Sequence, residues 1–181
     1  ELLRAMDQRR IRSATPTLLS RLSEVEENSE RTEIARVLRA TATDADLANL
    51  VESALTASSN GERNEWERTL SSLGLRRTSA NGRAKEVLTA LPNTSSHETR
   101  AMLLQVLGRL GDEQAIPQLK GALDSEQQEL RTASIRALSN WPTSTPMEIL
   151  YPIAKSEQNQ VQQVLALRGY VRMLGLINDE G

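Results

Sequence analysis

Apolar residues return along this chain at a helical period. Leu103, Val106, Leu107 and Leu110 fall at i, i+3, i+4 and i+7, which puts them on one face of a 3.6-residue turn. The segment from Arg100 to Gly111 aligns with Arg131 to Pro142 and again with Val164 to Gly175. Looser copies run from Arg63 to Gly74 and from Arg31 through Val37 and Leu38. A column of aliphatic anchors results: Leu38, Leu70, Leu107, Leu138 and Val171, with spacings of 32, 37, 31 and 33 residues. A period in this range marks stacked repeats, each too small to bury its apolar face alone.

Every copy predicts a helix, termed an A helix, over 29–41, 61–73, 96–110, 126–141 and 159–174. Ser95 with Glu98 has capping-box spacing, which would satisfy an orphan N–H of the first turn. Gly111 and Gly175 stand where left-handed C-caps are expected, and Pro142 stands where a helix must stop. A second set, the B helices, is predicted between them. Leu18, Leu19 and Leu22 after Pro16 form the first stripe, and Leu47, Leu50, Val51, Ala54 and Leu55 the next. Ala84, Val87, Leu88 and Leu91 follow, then Ile116, Leu119 and Leu123. Thr145-Pro146-Met147-Glu148 opens the last with an N-cap, a first-turn Pro and a carboxylate. The predicted fold is therefore all-α, an α-α superhelix of about five A/B pairs. The apolar pattern is already running at Leu2, Leu3 and Met6 and stops in what reads as a turn after Leu174. A single solenoid over 1–181, forming a fragment of a longer chain, is the expectation.

Composition narrows the possibilities. Two Trp, two Tyr and no Phe among 181 residues disfavour an all-β reading, because strands draw heavily on aromatic residues. A net charge of −2 gives no general pull on nucleic acid. No run of 18 apolar residues offers a membrane span, so no direct membrane insertion is expected. With no Cys and one His, His97, thiol chemistry is excluded and a metal site is not expected.

The run Leu107-Gly108-Arg109-Leu110-Gly111-Asp112, continuing through Ala115, Ile116 and Pro117 to Arg131, resembles a HEAT repeat. More narrowly, it is similar to the short bacterial HEAT-like repeats of bilin lyases. The resemblance covers 95–175 well and 1–92 loosely; around Trp66 and Thr69 aliphatics are replaced and the linker is about one turn longer. It implies a right-handed array with B helices on the concave side. Repeats of this family serve as scaffolds, inhibitors, lyase subunits and DNA glycosylases.

Candidate chemistry is sparse. The Arg column of Arg31, Arg63, Arg100 and Arg131 reads either as a structural ladder or as an anion site, and its repetition favours the ladder. Arg9-Arg10-Ile11-Arg12 and Arg76-Arg77 are short basic clusters, read as solvated surface or as docking points for an acidic partner. The B segments carry five cations against nine carboxylates, opposite in sign to a phosphate-binding groove. Trp66 and Trp141 fall on A helices as core residues rather than base-stacking platforms. The expected function is a protein-interaction scaffold, non-enzymatic and without cofactor, that binds a protein or peptide and no nucleic acid. By helical phase Asn49, Glu52, Glu86, Gln118, Glu148, Tyr151 and Lys155 point away from the B stripes as the candidate partner-binding set. The alternative is an enzyme or enzyme subunit on the same fold, either a HEAT-like DNA glycosylase or a bilin-lyase-like component.

Overall fold

A computed structural model describes residues 12–179. The A helices are α2 (Asn28–Thr41), α4 (Asn60–Gly74), α6 (His97–Leu110), α8 (Gln128–Ser139) and α10 (Gln160–Asp179). The B helices are α1 (Thr15–Glu24), α3 (Leu47–Leu55), α5 (Lys85–Ala90), α7 (Ile116–Leu123) and α9 (Met147–Ser156). No strand occurs among the described residues. Consecutive A helices stack on one another, α2 on α4, α4 on α6, α6 on α8 and α8 on α10, while each B helix lies against an A helix of its unit. This is the helical-pair solenoid predicted from the periodicity.

The anchors explain the stacking. Leu38, Leu70, Leu107 and Leu138 are all essentially inaccessible, and each lies eleven residues after the residue preceding its helix: Glu27, Ser59, Ser96 and Gln127. Trp66 and Trp141 are fully buried as well. Trp66 Nε1 donates to Glu62 Oε1 at 3.4 Å, and Trp141 lies just past the end of α8 rather than on it. At the closest approach there is no room for a side chain. A Cβ on Gly108 would come within 2.5 Å of the Ala137 backbone, and one on Gly169 within 2.4 Å of Ser139 Oγ.

Four local expectations are corrected. The cap of α6 is Ser96, not Ser95; its hydroxyl accepts from Thr99 N–H while bonding the Glu98 carboxylate. Thr145 does not cap α9, which is preceded by Pro146 without a side-chain cap; the Thr145 hydroxyl instead donates to Glu113. The last anchor is off by one residue. Asn159 caps α10 by accepting from Val161 and Gln162, so the residue eleven on is Tyr170, which is half-buried. Val171 faces outward at 57% exposure. The Leu-Gly pairs at 110–111 and 174–175 share a sequence but not a structure. Gly111 adopts φ +65° as a left-handed cap, whereas α10 runs straight through Gly175 to Asp179. With Val161, Val164, Leu167 and Leu174, Val171 completes an exposed apolar stripe along α10.

Between units, polar groups set the spacing. The buried Asp112 carboxylate accepts from Gly82 N–H at 2.8 Å and Ala84 N–H at 3.1 Å, pinning the long loop of the preceding unit. Arg31 and Glu62 form a buried ion pair between α2 and α4, with Arg31 Nε and Nη2 at 3.0 and 2.9 Å from Glu62 Oε1.

Candidate functional site

The Arg column is a ladder with a fixed rule. Arg31, Arg63, Arg100 and Arg131 each donate to the carbonyl six residues back, at Val25, Ala57, Thr94 and Ser125, over 2.6–3.2 Å. Those carbonyls sit in the turn between a B helix and the next A helix, where no helical N–H reaches them. Arg31 is used up by this role, since it also bonds Leu22 O, Thr56 and Glu62.

Arg100 and Arg131 have a further setting, because each lines a groove between successive B helices. The larger groove, about 550 Å³, lies between α7 and α9. Leu123, Ile135, Ile149, Pro152 and Ile153 supply its apolar lining, and Lys120, Asp124, Arg131, Glu148 and Glu157 its charges. The smaller, about 370 Å³, lies between α5 and α7 and is lined by Leu91, Pro92, Leu104 and Leu130 with Arg100 and Gln118. Arg100 Nε is buried there without a hydrogen-bond partner. An apolar slot with a mixed-charge border suits a peptide or helix that inserts aliphatic side chains and orients itself by charge.

Residues 84–168 match the family model of HEAT repeats. The matched segment contains α5 to α9, and therefore both grooves, along with the Leu-Gly pair of α6 and the Gly-Asp pair that follows it. No curated protein matches the sequence.

The predicted contact residues divide four ways. Gln118 and Glu148 line the two grooves of the matched segment. Asn49, Glu52 and Lys155 are exposed on α3 and α9. Tyr151 is 47% exposed, with its ring 5.5 Å from that of Tyr170 on α10. Glu86 is the exception. Both of its carboxylate oxygens are held by Arg77 at 2.8 and 2.9 Å, so it closes the long loop after α4. Burial pushes the Glu86 carboxyl up, but the Arg77 hydrogen bonds and charge outweigh it and leave the pKa below the ordinary glutamate value.

Sequence reasoning missed Ile149, Ile153, Lys120 and Asp124. The first two carry a readable signal, an i, i+4 aliphatic pair on α9 beside the internal Pro152. Which side of the pair would line a cavity depends on how α9 packs. Among the described residues no group of three or more His, Cys, Asp or Glu could hold a metal ion, and no helix is long and apolar enough to cross a membrane.

Proposed function

We propose that the chain is a protein-interaction scaffold that acts by binding, without catalysis or cofactor, and that its partner contributes an aliphatic-bearing segment to the B-helix grooves. The α7–α9 groove carries this reading: apolar side chains line it, and two cations and three carboxylates border it. Glu148 and Gln118 at the grooves, with Tyr151 and Lys155 further along α9, would set orientation and specificity rather than most of the affinity. The excess of carboxylates over cations on the B segments supports a protein rather than a nucleic-acid partner. The burial of both Trp side chains removes the stacking platforms that a flipped base would need.

The test is selection from a displayed random-peptide library against the immobilised protein and its Ile149→Glu variant. Peptides with spaced aliphatic residues should be enriched on the parent and lost on the variant. Equal enrichment on both would refute the groove as the docking site. Tight, salt-sensitive binding of duplex DNA that Ile149→Glu abolishes would refute the choice of partner.

A further inference from the structure

The two short basic clusters have no part in the grooves, yet the fold brings one member of each together. Arg12 and Arg76 line one cavity of about 640 Å³, which also includes Arg39 and Ser72; Arg9 and Arg10 lie outside the described residues. A second cavity of about 660 Å³ shares Arg39 and Ser72 and adds Arg68 and Arg109. Among the described residues, five guanidinium groups thus border two adjoining cavities at the C-terminal ends of α2, α4 and α6.

The carboxylates paired with these arginines are few and buried. Arg39 lies 2.7 Å from Glu65, and Arg68 bonds the other oxygen of the same carboxylate at 3.2 Å. Arg109 holds Glu67 through Nε at 2.8 Å and Nη2 at 2.7 Å. Arg76 is directed at the carbonyls of Ala42 and Arg39, which leave its charge uncancelled. The two glutamate side chains are only 8% and 10% exposed, while those of Arg68 and Arg109 are 63% and 50% exposed. Among the described residues, the part of these cavities that reaches solvent is therefore cationic, on a protein whose net charge is −2.

We propose that this row, from Arg12 to Arg109, docks a carboxylate-rich, unphosphorylated segment of a partner protein. The existing pairs already show carboxylates held at ion-pair distance by these side chains, through one edge of each guanidinium. The cations are spread over two cavities rather than converging on one point, which suits successive Asp or Glu side chains better than a single phosphate. Among the described residues no aromatic side chain lines either cavity, so a nucleic-acid strand would find charge there but no ring to stack on. The site is separate from the grooves and does not depend on them.

The experiment is an anisotropy titration of the full chain with a short fluorescein-labelled peptide alternating Glu and Ser. Saturable binding that weakens with salt is expected. The doubly substituted Arg12→Gln, Arg68→Gln protein should lose about tenfold in affinity, as expected for two charge-assisted contacts that are partly screened. Glu65 keeps Arg39 in that variant, so the fold is retained, and an unchanged urea midpoint checks this. Lys85→Gln, exposed on α5, and Ile149→Glu, in the groove, should bind as the parent does. Absence of saturable binding at low salt, or an equal loss in Lys85→Gln, would overturn the proposal. Much tighter binding of a phosphoserine version would overturn it in favour of a point phosphate site. Tighter, Arg68-dependent binding of a single-stranded oligonucleotide would overturn it in favour of nucleic acid.

Discussion

Replacing Gly108 by Ala sets two opposite effects against each other. In an exposed helix the change favours folding by about 0.8–1 kcal/mol, because Ala restricts the unfolded chain and is the better helix former. At Gly108 the new Cβ would stand 2.5 Å from both Cα and O of Ala137 and 2.7 Å from its carbonyl carbon, where ordinary contact is 3.4–4 Å. Backbone cannot rotate away as a flexible side chain would, so α6 and α8 must part by about 1 Å. A gap of that size forfeits a quarter to a half of each dispersion contact across the seam. Val106, Leu107 and Leu138, all inaccessible, are packed around that seam. Overpacking of this kind costs about 1–3 kcal/mol, and a backbone clash belongs at the upper end, so the helix gain is overwhelmed. Gly121→Ala in α7 provides the control, since nothing lies within 4 Å of its Cβ; it should stabilise by up to about 1 kcal/mol. Urea unfolding followed by circular dichroism should separate the two midpoints by on the order of 1 M at an unchanged m value. A Gly108→Ala midpoint equal to or above that of Gly121→Ala would show that the seam is looser than described.

Four further outcomes are expected. Leu107→Ala should cost about 2–5 kcal/mol in the same assay, as for other buried leucines, and a loss below about 0.5 kcal/mol would contradict its place in the core. Glu62→Ala leaves Arg31 buried without its carboxylate and should cost about 3–5 kcal/mol; a loss under about 1 kcal/mol would mean the pair is solvated. Val171→Lys should shift the urea midpoint little while Tyr170→Ala lowers it, and the reverse order would restore Val171 as the anchor of α10. Because the folded-state pKa of Glu86 is depressed, its ion pair with Arg77 adds stability above the unfolded carboxyl pKa and loses it as pH falls through the folded value. The stability gap between the parent and Glu86→Gln should therefore be full near neutral pH and shrink in acid, whereas a gap that persists unchanged to low pH would disprove the linkage.

The alternation of A and B helices, their pairing into repeats and four of the five anchors were legible from the sequence alone. Helical periodicity is a local property: the direction of each Cβ follows from its position in the turn, so Leu103, Val106, Leu107 and Leu110 declare a buried face without reference to any other segment. Tertiary structure decided whatever depends on two segments meeting. Tyr170 rather than Val171 became the anchor because Asn159 sets where α10 begins, and Leu-Gly reads the same whether the helix stops there or continues. Glu86 is engaged by Arg77, which reaches it only because the loop after α4 folds back. Arg12 and Arg76 share a cavity although 64 residues separate them, and no local period relates them. Their proximity arises from the stacking of α2 on α4, a meeting of distant segments that no local pattern of side chains encodes.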